Sequence, residues 1–323
     1  MSNNYSYQIM QLLRDTEGDF VSGQKVSSIL GITRSSIWKH IELLRKEGYV
    51  IDAVSHKGYV LRSVPDALIP RELQYNLKTK HFGRQMLYHL IIDSTMPEAF
   101  KLGRQGKAEG YLVCTEKQTK GKGRFNRHWS SPEGGLYFSL LLRPKVDISR
   151  IGLLPLLISV GICDAINEFT EIKPNIKWPN DIIVYDKKLA GILLEIDSEI
   201  DQISFVVVGV GLNVNTIKSR LPTSAISLQN IIKKKVSRLR LLQEILFKLE
   251  ELYYAAQKNG FKDIIENWRQ YSITLGKNVR IKDVYSNTIL EGKAIDINEY
   301  GGLIIQTKSG KKITRMSGDV TIC

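Results

Sequence analysis

The chain has 323 residues, room for two or three domains, with 43% hydrophobic residues and a formal net charge of +13. That excess points to acidic partners: nucleotides, nucleic acid or an acidic protein surface. The longest apolar run, Ile151 to Cys163, contains Pro155 and is too short for a bilayer, so no membrane partner is expected. The opening Met-Ser-Asn-Asn-Tyr-Ser has no basic and apolar leader. Cys114, Cys163 and Cys323 are odd in number, far apart and without metal-ligand spacing, which reads as reduced thiols in a cytoplasmic protein.

In chain order, Tyr5, Ile9, Leu12 and Leu13 recur at helical spacing. Ser22 is placed to cap a second helix, Gln24 to Leu30, which Gly31 ends. Thr33 opens a third, with Ile37, Ile41 and Leu44 on one face and Gly48 as its stop. Val50 to Arg62 then reads as two short strands around His56-Lys57-Gly58. Three short helices and a hairpin predict a winged helix-turn-helix over residues 1–66. Arg34, Ser35, Ser36, Lys39 and His40 lie opposite the apolar face as candidate DNA contacts, and Trp38 also falls away from it. Such trihelical units serve as protein-docking modules too, and eight Lys/Arg against seven Asp/Glu in this segment weaken the electrostatic case for DNA.

Pro65 and Pro70 bracket a linker to a second section, 67–271, where β-rich and helical runs alternate. Strands are expected at Met86–Ile92, Tyr111–Glu116, Leu136–Leu142, Ile176–Trp178, Ile182–Tyr185, Lys188–Glu195 and Phe205–Val210. Helices are expected from Ser149 to Phe169, Leu239 to Gln257 and Phe261 to Tyr271. Thr95 and Glu98 have capping-box spacing, with Pro97 in the first turn. The basic run from Lys233 to Arg240 reads as a solvated helix start. The fold class is α+β on a mixed sheet. Residues 272–323 alternate in short strands, Asn278–Asp283, Ile289–Ile297, Gly302–Lys308 and Lys312–Met316, with turns at Ser286-Asn287, Tyr300-Gly301-Gly302 and Ser309-Gly310, as in a small β-barrel.

Two segments carry the chemistry. Residues 115–129 place Lys117, Lys120, Lys122, Arg124 and Arg127 around Gly121 and Gly123, with no acid between these cations. The glycines are expected to take φ > 0 and let the backbone approach a ligand, and the cations to neutralise a polyanion. The spacing fits neither a phosphate-binding P-loop nor a dinucleotide fingerprint. Lys177-Trp178-Pro179-Asn180-Asp181 supplies a lysine, a ring, a rigid Pro and an Asn-Asp pair at a strand end. Together they suit the joining of a carboxylate to a nucleotide.

With Asp93-Ser94-Thr95, Gln118, Arg127-His128-Trp129, Lys188-Leu189-Ala190-Gly191 and Gly209-Val210-Gly211-Leu212-Asn213 in this order, the chain resembles the biotin–protein ligases. The winged helix in front and the barrel behind make it similar to the bifunctional form, ligase and biotin-operon repressor in one. The resemblance implies a class II synthetase-like catalytic domain and an SH3-like C-terminal barrel. It implies ATP and Mg²⁺ as cofactors, and biotin as a substrate activated to biotinyl-5′-AMP and passed to a lysine. The acceptors would be biotin carboxyl carrier domains of acetyl-CoA carboxylase and pyruvate carboxylase. Operator DNA and a homodimer formed on adenylate binding complete the implied partners.

By family position Ser94, Thr95 and Gln118 bind the uncharged ureido ring, with Lys122, Gly123, Arg124 and Lys188 completing the biotin site. Lys188, Arg124, Lys122, Lys177 and Asp181 form the catalytic set, Asp181 either holding Mg²⁺ or orienting the incoming lysine amine. Gly121, Arg127, Trp129, Asn180 and Asn213 fall to the nucleotide. For Trp129 the choice is between stacking on adenine and packing in the core, and for Asn213, placed after an expected Gly-x-Gly turn at Gly209-Val210-Gly211, between the adenylate pocket and backbone satisfaction. Three positions depart from the family's pattern: Lys122 for an arginine, Asn126 for a glycine and Met96 for an asparagine. A lipoate- or octanoyl-type protein ligase and a purely ligand-sensing repressor are the competing readings.

Overall fold

The computed structural model describes residues 5–16, 18–199, 202–283 and 288–323, in two compact units, Met1–Ala67 and Leu68–Cys323. The first unit holds α1 (Tyr5–Arg14), α2 (Gly23–Leu30), α3 (Arg34–Lys46) and a hairpin of β1 (Val50–Val54) and β2 (Gly58–Ser63). Ser22 Oγ accepts from the Lys25 N–H and Thr33 Oγ1 from the Ser36 N–H, so both helix starts are satisfied by side chains. Gly31 closes α2 in the left-handed region. Ile9, Met10, Leu13, Val26, Ile37, Ile41 and Leu44 form the buried centre. Gly58, at φ 106°, is required in the wing turn: a Cβ there would stand 2.0 Å from the Val21 carbonyl oxygen.

The second unit is built on a seven-stranded sheet of β3 (Met86–Ile92), β4 (Leu112–Gln118), β5 (Leu136–Leu142), β6 (Asn175–Lys177), β7 (Asp181–Val184), β8 (Lys187–Glu199) and β9 (Gln202–Leu212). The spatial order is β3-β4-β5-β9-β8-β7-β6, parallel at β3/β4 and antiparallel elsewhere. Alternation along β4 and β9 assigns the layers. Leu112, Cys114, Val206 and Val208 join the main core, while Val113, Phe205 and Val207 join α5 (Thr95–Arg104) through Met96, Ala99 and Leu102. The main core also takes α6 (Leu154–Thr170), α7 (Leu228–Ile232), α8 (Arg238–Asn259) and α9 (Lys262–Tyr271). A four-residue helix, α4 (Pro70–Leu73), and α7 were not expected from the sequence.

The helical stretch Ile148–Thr170 is long and apolar enough to cross a membrane by length and composition. It extends beyond the Ile151 to Cys163 run on both sides, and most of its apolar side chains are buried in the core. Lys233, Lys234 and Lys235 are exposed ahead of α8, yet Arg238 is not solvated. Its Nη1 donates to Glu116 Oε2 at 2.6 Å and to the Gly135 carbonyl at 3.1 Å, while Glu116 Oε1 accepts the Leu68 N–H. This buried pair ties α8, β4 and the start of the second unit together. Glu116 also helps burial push the Tyr88 phenol up to about 12.

The C-terminal residues of this unit form a five-stranded antiparallel sheet of β10 (Asn278–Lys282), β11 (Ile289–Ile297), β12 (Leu303–Gln306), β13 (Lys312–Arg315) and β14 (Asp319–Ile322). The order is β13-β12-β11-β10-β14. β14 was not anticipated, and the turn placed at Ser286-Asn287 lies outside the described residues. Trp178 is buried and joins the two sheets: its Nε1 donates to the Gly301 carbonyl at 3.0 Å and its N–H to Thr274 Oγ1 at 3.0 Å.

Candidate active site

A cavity of about 180 Å³ opens where α5, the end of β4, the 119–131 loop, β7, β8 and β9 converge. At one end lie Ser94, Thr95 and Gln118. Gln118 Oε1 accepts the Thr95 N–H at 2.9 Å and its Nε2 donates to Ser131 Oγ at 2.8 Å, while Thr95 Oγ1 and Ser139 Oγ stand 2.7 Å apart. The amide is thereby fixed in orientation. The expected capping box does not form: Ser94 is the N-cap without a side-chain bond, and Thr95, the first helical residue, turns its hydroxyl inward. Met96 is buried against Gly209, where a Cβ would meet its sulfur at 2.4 Å, and closes this end with an apolar surface.

Toward the other end stand Gly123, Arg124, Arg127, Asn180, Asp181 and Lys188, while Lys122 lines this cavity and also a neighbouring one beside Met96. Lys188 sits beside a register shift between β7 and β8, where Ile182 faces Ala190 but Ile183 faces Lys188. Its N–H donates to the Ser224 carbonyl and its own carbonyl accepts from Ile226, so the backbone is held from both sides. Lys188 Nζ lies 2.7 Å from Asp181 Oδ1 and 5.1 Å from the Trp129 ring centroid. Arg124 Nη1 donates to Asn180 Oδ1 at 3.2 Å, and its guanidinium covers the Phe125 ring. Asn180 Nδ2 in turn donates to the Ile192 carbonyl at 2.7 Å.

The loop's charge is balanced from afar. Arg127 makes a two-pronged pair with Asp319 of β14, which raises the guanidinium's pKa further. Lys120 Nζ lies 2.8 Å from Asp93 Oδ2, and this bond, with one from Thr119, holds the exposed Asp93 carboxyl below its ordinary pKa. Among the described residues Lys122 has no acid within ion-pair distance. Asp319, Ser131 and Ser139 were missing from the sequence reading. The two serines had no signal beyond their place in the loop and in an apolar strand.

Three expectations about glycine are corrected. Gly121 and Gly123 do not take positive φ; Phe125 and Asn126 do, both at 56°. Asparagine tolerates that region, which accounts for Asn126 where a glycine is frequent. Gly121 is needed for close approach, since a Cβ would stand 2.5 Å from the Trp129 carbonyl oxygen. Gly209-Val210-Gly211 is not a turn but part of β9. Its glycines leave room for Met96 and Trp129, a Cβ on Gly211 meeting Trp129 Nε1 at 2.3 Å. Trp129 thus lies across Gly191 and Gly211 as part of the cavity wall, its Nε1 buried without a partner.

Lys177, Gly121 and Asn213 do not line the cavity. Lys177 is on β6 in register with Asp181. Asn213 is buried immediately after β9, its N–H given to the Leu189 carbonyl and its Oδ1 without a partner. In the first unit Arg34, Ser35 and Lys39 are exposed and Ser36 half-buried. His40 turns away from them, its Nδ1 3.0 Å from Ser6 Oγ and its ring tilted against Tyr5.

A pocket lined by cations and neutral hydrogen-bonding groups, in a chain whose first unit is a helix-turn-helix, suits a class, a ligase coupled to a DNA-binding domain, and comparison with known proteins agrees. The Biotin/lipoate A/B protein ligase family matches residues 89–213, an HTH domain residues 6–60, and the Biotin protein ligase C terminal domain residues 274–322. The chain is 38% identical over 317 residues, 97% of each chain, to the bifunctional ligase/repressor BirA of Bacillus subtilis (strain 168). Against the Escherichia coli (strain K12) protein of the same name it is 26% identical over 99% of this chain and 98% of that one. A biotin protein ligase from Aquifex aeolicus, solved in complex with biotin and ATP, superposes with a TM-score of 0.65 at 30% identity, covering 74% of this chain and 100% of that one. The chain belongs to the biotin protein ligase family, in its bifunctional ligase/repressor form. It is an enzyme, a biotin protein ligase, joined to a repressor's helix-turn-helix unit.

Proposed function

We propose that the cavity forms biotinyl-5′-AMP from biotin and ATP and holds it for transfer to a carrier-domain lysine. The observation that carries this is the division of the cavity: neutral hydrogen-bonding groups at one end, cations around Lys188 at the other. In the first step a biotin carboxylate oxygen attacks the α-phosphorus and pyrophosphate leaves. In the second a lysine amine attacks the acyl carbon, AMP leaves and a proton is released. Ser94, Thr95 and Gln118 take the ureido ring. Lys188, exchanging Asp181 for the ligand's oxygens, neutralises both reacting anions, with Lys122 and Arg124 beside it. Arg127, Trp129 and Asn180 take the nucleotide, and Gly121 and Gly123 let the loop close over it. Lys177, Gly121 and Asn213 act from outside the cavity, by holding its walls.

Magnesium arrives as Mg–ATP. Among the described residues no group of three His, Cys, Asp or Glu is placed to cage a metal. The single carboxylate of Asp181 nonetheless fits an ion that takes most of its ligands from phosphates and water. Residues 1–66, 67–271 and 272–323 then divide the work into operator binding, catalysis and closure of the pocket, the last through Asp319. The adenylate acts as corepressor by promoting a homodimer, and carrier domains of acetyl-CoA carboxylase and pyruvate carboxylase compete by discharging it. The chain works in the cytoplasm, where its acceptors and ATP are found.

Pyrophosphate exchange with biotin or lipoate as the acid tests the catalytic reading. Biotin-dependent exchange is expected; exchange with lipoate alone would move the chain to the lipoate branch, and none with either, in folded protein, would leave only a ligand sensor.

A further inference from the structure

Trp38 is 56% exposed on α3, whose other face is buried through Ile37, Ile41 and Leu44. Arg34 and Ser35 lie one turn before it and Lys39 beside it. Among the described residues neither Arg34 nor Lys39 has an acid within ion-pair distance. One turn on, Glu42 is paired with Arg45, whose guanidinium also donates to the Ile51 carbonyl, so that carboxylate is partly neutralised. A large ring in water between two free cations, on the second helix of a helix-turn-helix, suits the floor of a major groove.

The charge of the unit sharpens this. With eight basic and seven acidic residues over 1–66, phosphate attraction alone gives weak binding. Affinity and selectivity must then come from base edges, and an indole has mainly apolar surface to offer. Thymine is the base that presents an apolar group, its C5-methyl, in the major groove. We propose that Trp38 is a specificity-determining residue, its indole packing on a thymine methyl in each operator half-site while Arg34 and Lys39 meet the flanking phosphates. This rests on the reading that the unit binds operator DNA.

The test uses the full-length protein carrying biotinyl-5′-AMP and an operator duplex that it selects from a random-sequence pool. Thymines are replaced by uracil symmetrically in the two half-sites, one position at a time, which removes only the methyl. At one position the wild type is expected to lose about fourfold per half-site, roughly sixteenfold for the pair, from the burial of one methyl group. Trp38→Ala should bind the thymine duplex at least that much more weakly and be indifferent to uracil. Trp38→Phe should keep the discrimination, which controls for folding of the first unit, and both variants should keep wild-type pyrophosphate exchange, which controls for folding of the second. Uracil discrimination by Trp38→Ala equal to the wild type's overturns the proposal, as does a wild type indifferent to uracil everywhere. A Trp38→Ala that loses dimerisation while keeping the methyl dependence would assign the ring to a second copy of the chain, and equally overturns it. Failure of the wild type to select any duplex would instead sink the operator reading itself.

Discussion

The cations of the ligase pocket and those of α3 are managed in opposite ways. In the pocket Lys188 and Arg127 are held by carboxylates of the same chain, Asp181 and Asp319, and Lys120 of the adjoining loop by Asp93, whereas Lys122 lines the cavity with no acid within ion-pair distance among the described residues. Arg34 and Lys39 stand in water without such a partner. A pocket that must seize a small polyanion gains from cations already oriented, because little side-chain freedom is then lost on binding. A surface that meets a long, regular polyanion can leave its cations mobile and take its affinity from several weak contacts. The paired cations shape a site, whereas those of α3 await a surface.

Substitution in the pocket should break this contrast most sharply. Lys188→Ala frees Asp181 and removes the charge proposed to face both reacting anions, so adenylate formation should fall about 10²- to 10³-fold or more while biotin affinity changes far less. Retained turnover with weaker biotin binding would reduce the lysine to a ground-state role. The core pair gives the next largest effect. Arg238→Met leaves Glu116 buried without its cation and should cost about 3–5 kcal/mol in denaturant unfolding, with Glu116→Gln in the same chain restoring much of it. An unchanged midpoint for the single variant would show that water already reaches the pair.

A smaller effect is expected at the loop. Arg124→Gly removes the tie to Asn180 and the cover over Phe125, so biotinyl-5′-AMP should leave about tenfold faster while the first step largely persists. Equal retention by trapped-intermediate assay would place the lid elsewhere. On the other side of the comparison, Lys39→Ala should leave exchange untouched and lower the slope of operator affinity against salt by about two, one for each subunit of the bound dimer. A loss of ligase activity there would mean that the two sets of cations are not independent.

Much of this was legible in the chain. Ser22, Gly31 and Thr33 announced the helices of the first unit because caps are local chemistry, and alternating apolar residues announced most strands. The pocket residues stood out because Gly121 to Arg127 and Lys177 to Asp181 are unusual in composition as well as in spacing. What the sequence hid depended on distance. Asp319 meets Arg127 across 192 positions, from a four-residue strand too short to read by periodicity. Ser139 looks like one small residue in an apolar strand until the sheet turns it toward Thr95. The loop glycines misled because glycine marks both positive φ and close approach; Gly121 serves the second, and Asn126 carries the first.

Filling the pocket around Lys188 is expected to switch on operator binding through α3. Operator affinity and dimer fraction of the full-length protein, measured together by fluorescence anisotropy and sedimentation with biotin alone and with biotinyl-5′-AMP, test it most directly. Tighter operator binding and a larger dimer fraction are expected with the adenylate only, since pairing two near-neutral units makes the second contact intramolecular. Equal affinity and equal dimer fraction in the two states would contradict it, and would leave a ligase whose helix-turn-helix unit acts without regard to the pocket.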